Sequence, residues 1–256
     1  MPRSRSWIVG EVYLEDLRRL VSYVGSGEEL HLAHNFVFVD QPWDARAFAA
    51  TIDEFERVAE GRAWPAWFLE NHDNPRTATR YGGVQRARAG LVMVYALRGT
   101  PFVYQGQELG LPDAVVPPER VVDVDGRDGV RAPIPWEARP DGGWREPWLP
   151  PVRDAASLSV ARQAADPRST LALTRRLAAL RRSEPALVSG AQRLLDAGGD
   201  VLAWERALNG SRLVVAVNFG SGEAPLEGEL VLSTDPDRPA GAVRSLRPSE
   251  AVILRG

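Results

Sequence analysis

The chain has no cysteine, which excludes disulfides and thiolate metal centres and suits a reducing compartment. It has no lysine either: all 31 basic side chains are arginine, set against 34 Asp and Glu for a net charge of -3. Charges of both signs are interspersed and no basic run stands out, so nucleic acid and anionic membrane are not expected partners. Histidine is scarce, and the three present, His31, His34 and His72, lack the spacing of zinc ligands. No apolar run approaches the roughly 20 residues that span a bilayer. The apolar stretch near the N-terminus is too short for a signal-peptide core, which makes the cytoplasm the expected location. A phosphate-binding P-loop, a GxGxxG after a strand and a GxSxG elbow are all missing, which removes the main support for kinase, dehydrogenase and serine-hydrolase readings. The run Asp123-Val124-Asp125-Gly126 begins like a calcium loop, but Arg127 and Ile134 stand where oxygen ligands are needed. Neither a metal nor a cofactor is expected.

What is present is the composition of an ordinary globular protein, 44% apolar and 25% charged over 256 residues. That length allows one large domain, or a domain with a small companion. Residues 7–12 form a short apolar run of strand length, and residues 14–24 show helical spacing. Phe48, Ile52, Phe55 and Val58 recur at three- and four-residue intervals, which predicts an amphipathic helix over 43–60 ended by Gly61. Apolar runs at 66–69 and 101–104 flank a helical pattern at 84–97. Strands alternating with helices imply parallel strands joined by crossovers, in an open sheet or part of a (β/α) barrel. Polar clusters follow each strand: Glu11, then Asn71-His72-Asp73, then Gln105-Gly106. The C-terminal ends of parallel strands are where such folds place their sites.

Residues 112–168 are rich in Pro and Gly and carry no sustained period. A loop of that length is either functional or an insertion covering a site. Leu171, Leu173, Leu177 and Leu180 then stripe a helix over 169–182, stopped at Glu184-Pro185. Beyond 190, short alternating runs and the hairpin signal Asn209-Gly210 predict a small antiparallel β domain.

Taken singly, the polar residues leave their roles open. Glu11 ends an apolar strand, where a carboxylate is costly unless it is paired, hydrogen-bonded or used. Structural and functional readings balance there. His72-Asp73 alone is also the pattern of a capping Asp beside a surface His. Trp136, Trp144 and Trp148 could stack on sugar rings or simply anchor the irregular segment.

The motifs together are more specific. GEVYLED at 10–16, ENHDNPR at 70–76, RGTPFVYQGQELGLPD at 98–113 and RDGVRAPIPW at 127–136 resemble segments of the bacterial α-glucosidases of the alpha-amylase superfamily. Gln107, where Glu is common, and the variants Val130 and Ile134 are small departures. The resemblance implies Glu11 as general acid/base, His72 as a substrate contact and Asp73 as the carboxylate that stabilises the transition state. Arg76 would shape the substrate end of the cleft, and Trp136 would contact substrate. It implies α-glucosidic oligosaccharides as substrates, and retention of configuration through a covalent intermediate. The implied fold is α/β: the last four β/α units of a (β/α)8 TIM barrel over 1–185, with the 112–168 loop, then an antiparallel β-sandwich over 186–256. The family's nucleophilic Asp would precede Glu11 by one strand, where this sequence has no room for it. The expectation is therefore a fragment inactive alone, whose raw edges pair with a second copy or with a missing N-terminal half. Two alternatives stay open: a non-catalytic carbohydrate-binding or interaction module, and a transglycosylase or trehalose synthase-like isomerase of the same superfamily.

Overall fold

The computed structural model describes residues 7–24 and 29–256. Its first part alternates strand and helix: β1 (Val9–Gly10), α1 (Leu17–Val24), β2 (Leu32–Ala33), α2 (Phe36–Val39), α3 (Ala45–Ala59), β3 (Ala66–Trp67), α4 (Thr77–Arg80), α5 (Val84–Ala96) and β4 (Thr100–Pro101). The second part runs α6 (Ala155–Leu158), α7 (Val160–Ala164), α8 (Thr170–Ser183), α9 (Pro185–Ser189) and then six strands. These are β5 (Ala191–Leu195), β6 (Val201–Leu208), β7 (Ser211–Asn218), β8 (Ala224–Ser233), β9 (Ala242–Leu246) and β10 (Ala251–Arg255).

Strands β1 and β2 pair in parallel, as do β3 and β4, and a parallel bridge from His34 to Ala66 joins the two pairs. The result is an arc of four parallel strands in chain order, the arrangement of successive β/α units in a barrel. Among the described residues, the outer edges of β1 and β4 carry no strand partner. Strand β2 goes unseen in the sequence because its apolar core is only Leu32-Ala33, bracketed by His31 and His34. Helix α3 matches its predicted span closely. Asp44 accepts the Ala47 amide as N-cap, and Glu60 ends the helix in the left-handed region at φ 47°.

The C-terminal strands form one continuous antiparallel sheet in the order β5-β6-β7-β10-β8-β9. Asn209 and Gly210, both at positive φ, make the tight turn that joins β6 to β7. Where two stacked sheets are expected, hydrogen bonding instead makes a single sheet. Register breaks between Ile253 and Leu254 and between Pro225 and Gly228 allow it to bend. Its two faces therefore both find apolar cover. Ala203, Ala216, Val243, Leu246, Val252 and Leu254 cluster on one side. Leu202, Trp204, Leu213, Val215, Val217 and Ile253 join the helices' own core on the other. The alternation of these residues along β6 and β7 is what sends them to opposite faces. Strand β9 and the short helix α9, which starts at Pro185, were not anticipated. Proline at a first helical position starts a new turn as readily as it ends the old one.

Residues 112–168 are irregular but packed. Leu111, Ala114, Ala132, Ile134, Val152 and Ala155 close with Leu109 and Leu171 into a core of their own. None of the described helices is long and apolar enough to cross a membrane.

Trp204 shows how the sheet and the helices share a core: it is fully buried, and its indole N–H donates to Ala96 O at 3.3 Å, at the end of α5. Trp204→Ala should cost about 3–5 kcal/mol, measured by urea denaturation. If sheet and helices melt as one unit, both tryptophan fluorescence and helical dichroism will shift to the same lower midpoint.

Candidate functional site

The C-terminal ends of β1, β2, β3 and β4 open onto a pocket of about 180 Å³ lined by Glu11, His34, Phe68, Glu70, Asn71, His72, Phe102, Val103 and Tyr104. Each residue arrives from the segment just after its strand, because the pleat points alternate residues into the arc and the chain turns there. Glu11 follows β1 and is exposed. Ligand-capable atoms of Glu11, His72 and Asp73 all lie within 4.8 Å of one another. The three residues singled out by the sequence are thus brought together by the fold.

The loop after β3 is built around a buried carboxylate. Glu70 is 2% exposed, and its Oε2 accepts both the amide and the hydroxyl of Thr77 at 2.6 Å. Arg76, fully buried, donates from Nη1 to Glu70 Oε1 at 3.4 Å and to Gln105 O at 2.9 Å, and from Nη2 to Val130 O at 2.9 Å. Burial pushes the Glu70 carboxyl up from its ordinary value, while Arg76 and the Thr77 donors pull it back. Between these anchors, Asn71 Oδ1 accepts the amides of Asp73 at 2.9 Å and Asn74 at 2.7 Å, a side-chain turn that sets the direction of Asp73. Gly106 must be glycine for a related reason. Its φ is 91°, and an added Cβ would lie 2.7 Å from Arg76 Nη1.

Asp73 is held from the long insertion. Arg131 Nη2 donates to its Oδ1 at 2.8 Å and Arg127 Nη1 at 3.3 Å, while Arg131 Nε donates to His72 O at 3.0 Å. Arg127 is itself clamped by Asp123, through contacts of 2.6 and 2.9 Å. This pairing holds the Asp123 carboxyl well below the usual range, the hydrogen bonds from Arg127 being the main cause. The spacing of Glu11, His72 and Asp73 would suit a cation, but two guanidinium groups already supply positive charge at Asp73 Oδ1.

Two expected contacts fall elsewhere. Arg76 is 0% exposed and faces Glu70 rather than the cleft, so it braces the loop and cannot touch a sugar in this arrangement. Trp136 is 55% exposed in the insertion and does not line the pocket. Conversely, five participants escaped sequence reasoning. His34 sits on the unseen strand end, edge-on to Phe68 and Phe102 with ring centroids 5.1 and 4.6 Å away. Phe68 and Phe102 looked like plain strand residues. Arg127 and Arg131 were visible in the motif RDGVR, yet only the fold shows that they reach Asp73.

Comparison with known proteins follows the same lines. A family model described as "Alpha amylase, catalytic domain" matches residues 3–190. The chain belongs to the alpha-amylase family. A probable alpha-glucosidase of Rhizobium meliloti (strain 1021) is 33% identical over 223 residues, covering 80% of this chain and 40% of that protein. An oligo-1,6-glucosidase of Halalkalibacterium halodurans is 27% identical over 261 residues, covering 84% of this chain and 46% of that protein. Among solved structures of this family type, the trehalulose synthase MutB of Pseudomonas mesoacidophila MX-45 superposes with a TM-score of 0.87 at 25% identity. It covers 98% of this chain and 55% of that one. The alpha-glucosyl transfer enzyme XgtA gives 0.84 at 30% identity, covering 96% and 50%. The chain therefore spans about half the length of the alpha-amylase family relatives it matches.

Two measurements check the site's construction. Glu70→Ala leaves Arg76 buried without its carboxylate and should cost about 3–5 kcal/mol, seen as a lowered denaturation midpoint. Burial lowers the His34 pKa from its ordinary value, with Glu11 opposing the shift. Because the folded state binds fewer protons, the resulting stability is complete above about pH 6.5 and is lost as pH falls toward the lowered folded value. The melting temperature should drop over that window, and His34→Phe should flatten the drop.

Proposed function

We propose that this chain carries the acid/base portion of a retaining site for α-glucosidic bonds in short oligosaccharides. The observation that carries this reading is the meeting of Glu11, His72 and Asp73 at the ends of parallel strands. In the proposed roles, Glu11 protonates the leaving oxygen and later takes a proton from water, its exposure giving it access to both. His72 is 52% exposed by side chain and offers a hydrogen bond to a sugar hydroxyl. Asp73 supplies fixed negative charge beside the oxocarbenium-like transition state.

Glu11 and Asp73 approach within 4.8 Å, near the roughly 5–5.5 Å of a retaining carboxylate pair. Their bonding separates their roles. Oδ1 of Asp73 accepts from two arginines, which spend part of the carboxylate's charge and so weaken it as a nucleophile while leaving it a fixed anion. The nucleophile is accordingly assigned to a further carboxylate on a completing half, docked along the open edges of β1 and β4. A second copy of the chain is the other candidate for those edges. In this scheme 1–185 is the catalytic portion and 186–256 its supporting β unit, acting in the cytoplasm. The superposition on a trehalulose synthase and a glucosyl transfer enzyme favours one second reading, transfer of the glucosyl unit to a sugar in place of water. Both outcomes share the first step.

The test is to fuse residues 7–256 behind the upstream part of the Rhizobium meliloti relative and follow p-nitrophenyl α-glucoside. The chain alone should give no turnover. The fusion should turn over, and Glu11→Gln should lower its rate by about 100- to 10,000-fold. A folded fusion equally active with either residue would sink the assignment of Glu11.

A further inference from the structure

Strand β2 stands between β1 and β3, and its end lies beneath the acid/base. The register that pairs Gly10 with Ala33 sets the next residues, Glu11 and His34, side by side, and the His34 amide donates to Gly10 O at 3.0 Å. Neighbours across a parallel pair point to the same face. Both side chains accordingly line the cleft. Glu11 also comes within 4.8 Å of His72 and Asp73, which follow β3. Its side chain therefore spans the end of β2, where His34 sits.

The His34 ring is fixed edge-on to Phe68 and Phe102. Its Nδ1 is buried and has no partner among the described residues. A neutral imidazole carries a single N–H, and a buried N–H without an acceptor is rarer in folded chains than a bare lone pair. The proton therefore belongs on Nε2, at the far end of the ring. Burial holds the His34 pKa below its ordinary value, so the ring is neutral near pH 7.

The other titratable groups of the cleft are already engaged. Glu70 takes Arg76 and Thr77, and Asp73 takes Arg127 and Arg131. His72 lies 3.5 Å from Asp73, and the Tyr104 hydroxyl donates to Val130 O. With those donors spent on other acceptors, His34 is the neighbour placed to hold Glu11.

We propose that His34 is a positioning residue for the acid/base, its Nε2–H donating to the Glu11 carboxylate once Glu11 has passed its proton to the leaving oxygen. Glu11 is exposed and turns onto the ring by rotation of its own side chain. One carboxylate oxygen is then held, while the other faces the incoming water or sugar hydroxyl and takes its proton. His34 itself neither gains nor loses a proton. The inference rests on the acid/base role proposed for Glu11.

The pairing is read in the chain alone by NMR. Long-range 1H–15N spectra should show the Nε2–H form for the imidazole whose signals His34→Gln removes. Its Nε2 resonance should move as Glu11 titrates, and that movement should vanish in Glu11→Gln. A donor favours the charged carboxylate, so His34→Phe should raise the Glu11 pKa, followed by the 13C shift of its carboxyl, by about half a unit to one unit. His34→Gln, whose amide nitrogen reaches the Nε2 position, should restore it. His34→Asn, whose amide reaches only the Nδ1 position, should not. In the fusion, His34→Phe should lower kcat about tenfold with KM nearly unchanged. The alkaline limb of its pH–rate profile should move up, and His34→Gln should recover both. An Nδ1–H ring, or the same Glu11 pKa in the parent chain and folded His34→Phe, would overturn the pairing and leave the loss on Glu11→Gln standing. A fusion still active with Glu11→Gln would instead overturn the acid/base reading, and with it the purpose given to His34.

Discussion

The site depends on one buried ion pair. Glu70 and Arg76 lie at opposite ends of the loop after β3, both out of water, and a charge so placed is tolerated only when its remaining hydrogen-bonding capacity is used. Glu70 uses its capacity on Thr77, which starts α4. Arg76 uses its own on the carbonyls of Gln105 and Val130. One guanidinium thus fixes three stretches of chain: the loop holding His72 and Asp73, the turn after β4, and the segment of the insertion that carries Arg131. Glu70 lines the cleft, and Arg76 lies behind it. Both determine its shape.

The insertion acts on the site through charge. Arg127 and Arg131 reach Asp73 from a region with little regular structure, and Asp123 stiffens Arg127 in turn. Half-buried pairs that water still reaches add little stability singly. Their effect here is directional: they fix one carboxylate oxygen of Asp73 and leave the other toward His72, 3.5 Å away. The small core formed by Leu109, Leu111, Ile134 and Val152 gives the segment the rigidity that this requires.

Legibility in the sequence followed the length over which a pattern repeats. Helix α3 was plain because its stripe persists for four turns and Gly61 ends it. The hairpin at Asn209-Gly210 was plain because only certain residues accept its backbone angles. Strand β2 was invisible because two apolar residues set no period, and His34 was lost with it. The buried partner of Arg76 was hidden because an arginine beside a motif reads the same whether it faces solvent, sugar or a buried glutamate. Only the three-dimensional path of the chain sets Glu70 against it. The trio at the site was found through joint motifs rather than any one residue's signature, and the arginine clamp on Asp73 spans 54 and 58 residues, beyond any local pattern.

The arc of four parallel strands has a geometric corollary. Its two margins on β1 and β4, free among the described residues, run in the same direction, so a single added strand would satisfy one margin and leave the other bare. Only a body presenting two margins of matching polarity and curvature can close both at once. Such a shape differs from a flat sheet, whose margins permit open-ended stacking.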